Sequence, residues 1–257
     1  MKILGRTQML SQYSILDSLP VIKQLGFDGV EICVERKDWS LIELDKMPAD
    51  AIRERIAQLN LAPHSFSFHQ DYIYDDHIFE LTQKAIKMTP RFGTNIFIFS
   101  GTKKKTGDTA EWNRMIERTR TMVEIAADHG VILAEEFEPG FVVGTTAELL
   151  RQFDEIPSPH LAANVDLGHV FICDPDPLQS LAQIGGKIVH CHISGMPAGQ
   201  HDHLIPQEGD MDLSLYLRAL RSTGFDGALA LDLYKYNYEA VSKEAVDYLH
   251  QLLAQME

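Results

Sequence analysis

The sequence predicts an α/β fold, a (β/α)₈ TIM barrel with parallel strands, and three observations support this class. Short apolar runs alternate with longer amphipathic segments eight times along the chain, a pattern typical of parallel strands joined by right-handed crossovers. The length of 257 residues is usual for one such barrel. The turn from Gly5 to Met9 lacks the glycine-rich phosphate loop that a rival open sheet usually has after its first strand. We therefore expect a single TIM-barrel domain over residues 1–257.

The predicted strands are short apolar runs, and the predicted helices are segments in which apolar residues recur at helical spacing. In chain order the strands cover residues 2–4, 29–34, 62–68, 95–99, 131–137, 161–165, 187–193 and 228–233. The helices cover 14–25, 47–59, 76–91, 108–129, 145–154, 176–184, 212–223 and 238–255. In the first helix, Leu16, Leu19 and Ile22 follow the i, i+3 spacing of one apolar face. Two similar Gly-Phe-Asp-Gly turns, at residues 26–29 and 224–227, lead into the second and eighth strands.

Composition excludes several classes of protein. The formal net charge of −14 opposes nucleic-acid binding, which requires a basic surface to neutralise phosphates. The one basic run, Lys103, Lys104 and Lys105, is interpreted as a solvated loop. No apolar run reaches the roughly 18 residues of a membrane helix, and the N-terminus does not resemble a signal peptide. Three cysteines without paired spacing favour reduced thiols, so we expect a cytoplasmic protein that does not bind membranes.

Charged side chains stand at the ends of the last four predicted strands, where the active site of such a barrel lies. Alternation places Glu136 and Glu138 on one face of the fifth strand. The sixth strand ends near Asp166, the seventh near His192 and the eighth near Asp232. Because neighbouring strands are about 4.8 Å apart, these side chains are expected to converge on one point.

A divalent metal ion resolves the electrostatic problem that this convergence creates. Several carboxylates in one buried cavity repel one another and are costly to bury without a cation. Oxygen and nitrogen ligands without a thiolate suit one ion of Mn²⁺, Mg²⁺, Co²⁺ or Zn²⁺. The predicted metal ligands are Glu136, Asp166, His192 and Asp232.

Further polar residues near the strand ends are assigned to substrate binding or to the core. His169, His203, His69 and Glu138 are expected to bind substrate, although His169 also suits a second metal ligand. His201 shares a loop with His203, His64 and His69 flank the end of the third strand, and Glu31 is a weaker pocket candidate. His190 is interpreted as a core histidine that shares a face with His192.

Three segments resemble the sugar isomerase/epimerase group of the xylose-isomerase-like TIM barrel superfamily. They are Asn-Val-Asp-Leu-Gly-His at 164–169, His-Cys-His at 190–192, and His-Leu-Ile-Pro-Gln-Glu-Gly-Asp at 203–210. The resemblance covers nearly the whole chain. It implies that Glu136, Asp166, His192 and Asp232 hold the metal, that Glu136 and Asp232 move protons beside a carbonyl, and that His169 contacts substrate oxygens.

The chain departs from the pattern of that group at three positions. Asp232 stands where the group usually has Glu, so its carboxylate reaches one methylene less far. Gly195 replaces a common Asp, and His203 replaces an arginine that holds substrate oxygens in ketose epimerases. These changes weaken the case for a ketose 3-epimerase more than the case for a metal site.

The resulting hypothesis is a metal-dependent isomerase or epimerase of a small sugar or hydroxy-carbonyl compound. It would transfer protons through an enediolate stabilised by the metal, and its partner would be a small-molecule substrate. One alternative is a metal-dependent dehydratase, a lyase acting on a keto-polyol or a dehydroshikimate-type acid. Less favoured are an endonuclease IV-like nuclease for abasic DNA and a sugar-binding barrel without activity. Homo-oligomer formation stays open.

The substrate is expected to lack phosphate. Barrels usually bind phosphate in the loops after strands seven and eight, and here those loops contain one Lys, Lys235, and no Arg. Arg6, Arg36 and the three consecutive lysines are the basic residues that could reach the site from earlier loops.

Overall fold

Eight parallel strands close into a barrel in the computed structural model, which describes residues 1–35 and 44–256. The strands follow one another around the barrel in chain order, and β8 pairs with β1 to close it. Their bounds are β1 Lys2–Arg6, β2 Gly29–Cys33, β3 Ala62–His69, β4 Ile96–Ser100, β5 Ile132–Glu135, β6 Leu161–Asp166, β7 Ile188–Ile193 and β8 Ala228–Leu231. The predicted (β/α)₈ barrel is therefore confirmed.

Helices surround the barrel. The described α-helices are α1 Ile15–Gln24, α2 Ala49–Gln58, α3 Asp76–Met88, α4 Thr109–His129, α5 Thr146–Glu155, α6 Leu167–Cys173, α7 Pro177–Ile184, α8 Leu213–Ser222 and α9 Tyr238–Ala254. The strict alternation of eight strands and eight helices was wrong at one point, because α6 is an additional short helix directly after β6. Its first turn is stabilised by the Asp166 carboxylate, which accepts hydrogen bonds from the backbone N–H groups of Gly168 and His169. Within the described residues, no helix has the length and apolar character that crossing a bilayer requires.

Strands β5 and β8 end two residues earlier than predicted, yet hydrogen bonding between strands continues past them. The backbone N–H of Glu136 donates to Phe99 O at 2.8 Å, and that of Asp232 donates to Ile193 O at 3.1 Å. These bonds fix the backbone of both residues, so their carboxylates are held by the barrel wall and not by a free loop.

The interior of the barrel changes character along its axis. Leu4, Ala228 and Ala230 form a small buried apolar cluster inside it, whereas the large apolar core lies mostly between the strands and the helices. Arg6 and Asp232, two residues further along β1 and β8, are buried and charged. The C-terminal end of the barrel, here called the mouth, is thus the polar end. It is lined by Arg6, Glu31, Glu136, Asp166, His192 and Asp232.

Candidate active site

Asp166 lies at the centre of the mouth. Its Oδ1 accepts hydrogen bonds from the N–H groups of Gly168 at 2.7 Å and His169 at 3.0 Å. Its Oδ2 is buried and has no hydrogen-bond partner among the described residues. Asp166 is paired in register with His192 on β7. One oxygen therefore fixes the carboxylate to the start of α6, while the other remains available to a ligand.

His192 connects two carboxylates across the mouth. Its Nδ1 lies 3.0 Å from Glu136 Oε1, and its Nε2 lies 3.1 Å from Glu31 Oε2. Burial alone lowers the pKa of His192, but Glu136 and Glu31 outweigh it and raise that pKa well above its usual value. Burial raises the pKa of Glu136, and the neighbouring histidines, His192 foremost, more than reverse this and keep the carboxylate ionised.

Arg6, near the start of the chain, forms ion pairs with Glu31 and with Asp232, which lies near the end of the chain. Its Nε donates to Glu31 Oε1 at 2.8 Å, and its Nη1 is hydrogen-bonded to Asp232 Oδ1. The arginine side chain is 1% exposed, so the pairs are shielded from water. Burial raises the pKa of Asp232, but the guanidinium outweighs this effect and the pKa is lowered overall. Arg6 thereby holds both carboxylates ionised and engages one oxygen of Asp232.

The four predicted metal ligands fall into two overlapping groups. Ligand atoms of Glu136, Asp166 and His192 lie within 4.8 Å of one another, and so do those of Asp166, His203 and Asp232. Oxygen and imidazole donors of this kind fit a divalent cation, and Asp166, whose Oδ2 has no hydrogen-bond partner among the described residues, belongs to both groups. The donor set therefore suits the predicted ion, with His203 as an additional donor close to Asp232.

The predicted substrate-binding histidines lie along the rim next to these groups. His169 Nδ1 lies 2.9 Å from Phe137 O, and His203 Nδ1 lies 3.1 Å from Ser194 Oγ. The Nε2 atom of His201 approaches those of His169 and His203 at 2.9 and 3.0 Å. Burial lowers the pKa of His169, but Asp166 and Glu138 outweigh it and raise that pKa to about 9.

His69 and Glu138 complete the opposite wall. His69 Nδ1 lies 3.7 Å from Glu136 Oε2 and 3.1 Å from Ser100 Oγ. Ligand atoms of His69, Glu136 and Glu138 lie within 4.8 Å of one another, and burial raises the pKa of Glu138 to about 7. The structure thus brings both residues beside Glu136, as their assignment to substrate binding requires.

Other polar residues lie apart from the mouth or beneath it. His190 is fully buried and bonded to Asn164 and Ser65, in keeping with a core histidine. His64 lies near the start of β3, with its ring against that of His190. Lys104 and Lys105 pair with Glu148 and Asp71, and Arg36 lies outside the described residues.

Gly195 has a structural reason to replace the common aspartate. A Cβ atom at this position would lie 2.1 Å from Glu208 O and 2.5 Å from Ile205 O. Gly195 also forms a backbone bridge with Leu204. The close approach of these two backbone segments holds the loop that carries His201 and His203.

Sequence reasoning underestimated Arg6 and Glu31, which lie at the base of the site. The sequence alone places Arg6 among the basic residues able to reach the site from an early loop and makes Glu31 a weaker pocket candidate. The sequence contains a signal for Glu31, a charged residue inside a short apolar run, whereas Arg6 follows the predicted first strand and lies outside its apolar run. Their pairing with Asp232 and His192 depends on closure of the barrel, which no local pattern reveals.

Comparison with known proteins agrees with this fold. The chain is 22% identical over 252 residues to fructoselysine 3-epimerase of Shigella flexneri, with 91% of each covered. It is 22% identical over 247 residues to a 3-dehydroshikimate dehydratase of Bacillus anthracis, with 92% of this chain and 83% of the relative covered. The solved structure of an L-ribulose 3-epimerase superposes with a TM-score of 0.83 at 19% identity, covering 99% of this chain and 95% of the other. These relatives are epimerases and a dehydratase.

A family model extends the comparison along the chain. The model described as xylose isomerase-like TIM barrel matches residues 19–252, which include every strand from β2 to β8. The chain therefore belongs to the xylose isomerase-like TIM barrel family.

Proposed function

We propose that this protein is a metal-dependent isomerase or epimerase that moves a proton at a carbon beside the carbonyl of a small sugar. The observation that carries the proposal is the pair of donor groups that share Asp166. Each group contributes one further carboxylate, Glu136 in one and Asp232 in the other. Proton transfer requires positioned bases of this kind next to the reacting carbon.

The environments of the two carboxylates support a role as bases. Glu136 is held by His192 and accepts a hydrogen bond from Asn164 Nδ2 at 3.0 Å, while Asp232 is held by Arg6. Both are kept ionised, as the lowered pKa values indicate. Glu136 takes the proton from one face of the carbon, and Asp232, after gaining a proton from solvent, delivers one to the opposite face. Glu136 then releases its proton to solvent. A bound divalent ion would polarise the carbonyl and its neighbouring hydroxyl.

The surrounding histidines orient the substrate. His169 is fixed through Nδ1 by Phe137 O, and His203 is fixed by Ser194. The Nε2 atoms of both face His201 Nε2, whose place a sugar hydroxyl would take when substrate binds. They can hydrogen-bond the hydroxyl groups of a sugar there. The Arg6–Glu31 pair beneath keeps Asp232 and His192 in place.

A dehydratase is the second candidate, and the state of His169 favours it. The pKa of about 9 leaves this imidazole protonated at neutral pH. A protonated imidazole can donate its proton to a departing hydroxyl group, a step that dehydration requires and epimerisation does not. Similarity over most of the chain to a 3-dehydroshikimate dehydratase supports the same candidate.

One experiment tests both reactions. Protein freed of metal with a chelator and reloaded with Mn²⁺ is incubated in heavy water with free ketoses and with dehydroshikimate. Proton NMR follows deuterium entry beside the carbonyl, and mass spectrometry follows loss of water. Deuterium entry without loss of water supports an isomerase or epimerase, and loss of water supports a dehydratase.

A matched pair of variants completes the test, because Glu135 and Glu136 are neighbours on opposite faces of β5 and its continuation. Glu136→Gln should abolish exchange, whereas Glu135→Gln should retain it. Equal exchange in both variants, or none in the reloaded wild type, contradicts the proposal.

A further inference from the structure

Glu35 is a buried carboxylate that the proposed reaction does not use. It follows β2, whose ladder continues because Val34 N donates to Ser67 O at 3.0 Å. Glu31 faces the mouth and Cys33 Sγ lies 3.7 Å from Glu31 Oε1, so alternation turns Glu35 inward as well. The residue is 0% exposed. Its Oε1 accepts a hydrogen bond from the backbone N–H of His69.

The second oxygen of Glu35 has no hydrogen-bond partner in the part of the chain that the structure describes. Among the described residues, no hydrogen bond reaches Glu35 Oε2, Ser67 Oγ or His69 Nε2, although all three atoms are buried. Glu35 lies just past β2, Ser67 and His69 lie on β3, and all three are on the inward face of the barrel. Buried polar atoms are nearly always hydrogen-bonded in folded proteins, so a group of three without partners marks a place where a ligand supplies the bonds.

These atoms are continuous with the proposed reaction site. His69, whose backbone holds Glu35, lies 3.7 Å from Glu136 through its side chain. Its Nδ1 is next to Ser100 Oγ at 3.1 Å, and donation from this nitrogen leaves Nε2 as an acceptor. A substrate that reacts beside Glu136 therefore extends past His69 towards Glu35.

The charge of the mouth favours a cationic group at this place. Six carboxylates line it: Glu31, Glu35, Glu136, Glu138, Asp166 and Asp232. Among the arginines and lysines in residues 1–35 and 44–256, it is Arg6 that forms ion pairs with these carboxylates. These six carboxylates outnumber the three cationic side chains of the mouth, Arg6, His169 and His192.

The raised pKa of Glu35 agrees with the lack of a directly paired cation among the described residues. Burial raises the pKa of its carboxyl to about 8, and Arg6 only partly offsets this. By contrast, Glu31 is equally buried but directly paired with Arg6, and its pKa lies well below the usual value. A cation bound next to Glu35 would lower the pKa of its carboxyl towards that of Glu31.

We infer that the β2–β3 side of the mouth, formed by Glu35, Ser67 and His69, binds an ammonium group, so that the substrate is an amine-bearing sugar or hydroxy-carbonyl compound. An ammonium has three N–H donors and no acceptor, and the three partnerless atoms can all accept. This inference rests on the proposed function for the position of the reacting carbon, but the binding it describes is measurable without turnover.

Calorimetry on the Mn²⁺-loaded protein tests the inference with matched sugars. The probes are D-fructose, 1-amino-1-deoxy-D-fructose and 6-amino-6-deoxy-D-fructose, in which an ammonium replaces a hydroxyl at either end. One of the amines should bind about tenfold more tightly than D-fructose, as expected when a charge-assisted hydrogen bond replaces a neutral one. Equal or weaker binding of both amines overturns the inference, whether or not any variant folds.

Variants assign the preference to Glu35. Glu35→Gln should bind the preferred amine and D-fructose with equal affinity, because the amide carries no negative charge. Glu54→Gln removes an exposed negative charge on α2 and should keep the preference. Persistence of the preference in Glu35→Gln, or an equal loss for amine and D-fructose, contradicts the assignment.

The outcomes separate this inference from the proposed function. An amine preference without deuterium exchange on any ketose overturns the reaction and leaves the binding subsite. Exchange on ketoses without an amine preference overturns the subsite and leaves the reaction.

Discussion

Glu135 and Glu136 are adjacent in the chain, equally buried and opposite in character. Glu135 faces the layer between barrel and helices, where Gln152 Nε2 donates to its Oε2 at 3.4 Å and its Oε1 has no partner among the described residues. Glu136 faces the mouth, among histidines and Asn164. Burial raises the pKa of Glu135 well above its usual value, whereas the histidines lower that of Glu136.

The comparison teaches that burial alone does not make a carboxylate functional. Both side chains are removed from water, and only the one with positively charged or metal-binding neighbours is kept ionised. Glu135, in the layer outside the barrel wall, is a neutral acid, whereas Glu136 lies among the charged side chains of the mouth.

The largest difference between the mouth and the outer layer of the barrel wall is expected in metal binding. His192→Ala and Asp166→Ala each remove a donor from the group with Glu136. Metal affinity should fall by more than the ~100-fold that loss of an outer-shell partner can cause, so no stoichiometric ion should survive gel filtration at neutral pH. Glu135→Gln should retain its metal. Full occupancy in both mouth variants, by elemental analysis, would show that the ligand assignment is wrong.

Removal of Arg6 should cost more stability than removal of any exposed cation. Arg6→Met leaves Glu31 and Asp232 buried without their counter-charge, and loss of one member of a buried pair costs about 3–5 kcal/mol. Lys243→Met is the control, because Lys243 pairs with Asp247 on the exposed side of α9 with 67% of its side chain exposed. Urea unfolding of the metal-free proteins measures both. Similar midpoints for the two variants would contradict a structural role for the Arg6 pairs.

Changes at Asp232 sharpen the account of the mouth itself. Asp232→Asn should lower turnover at least ~10²-fold, the typical contribution of an acid–base group, while Asp232→Glu should keep metal because it preserves the charge. Asp226→Asn is a suitable control. Asp226 lies just before β8 at the other end of the barrel and is 89% exposed. Wild-type rates in Asp232→Asn would remove this residue from the mechanism.

Phosphate on the substrate should reduce activity. The mouth has more carboxylates than cations, and a phosphate dianion adds further negative charge. We expect kcat/KM for a ketose phosphate to be about tenfold below that for the free ketose, equivalent to ~1.4 kcal/mol. Paired kinetics on D-fructose and fructose 6-phosphate provide the measurement. A higher kcat/KM for the phosphate would refute the electrostatic account.

On the outer side of the wall, the expected effect is a pH dependence of stability. The raised pKa of Glu135 means that the folded protein keeps a proton that the unfolded chain loses above about pH 4.5. Unfolding is therefore favoured increasingly as pH rises from that value towards the folded pKa. Glu135→Gln removes this contribution, so its melting temperature should exceed that of the wild type at pH 8 and approach it at pH 4.5. A difference that is constant with pH would indicate an ionised Glu135.

The sequence predicts the barrel and the side chains that the ends of the last four strands bring to the mouth, but not how those of the first two strands join them. Glu136, Asp166, His192 and Asp232 could be predicted because each stands at the end of an apolar run, and parallel strands bring such ends together. The short helix α6 was missed since its seven residues resemble a loop between a strand and the next amphipathic segment. Arg6 and Glu35 were not recognised as parts of one site, because their neighbours come from residues far away in the chain.

Pairing of β1 with β8 has a consequence for biosynthesis. Arg6 and Asp232 are 226 positions apart, so ribosomes must translate nearly the whole message before the guanidinium meets its second carboxylate. A nascent chain that ends before β8 lacks Asp232 and exposes the edges of β1 and β7. Such an intermediate holds Arg6 and Glu31 without the closing strand, and it is the stage at which chaperones would have most to protect. Translation from residue 228 onward thus converts an open sheet into a closed barrel and completes the site in the same event.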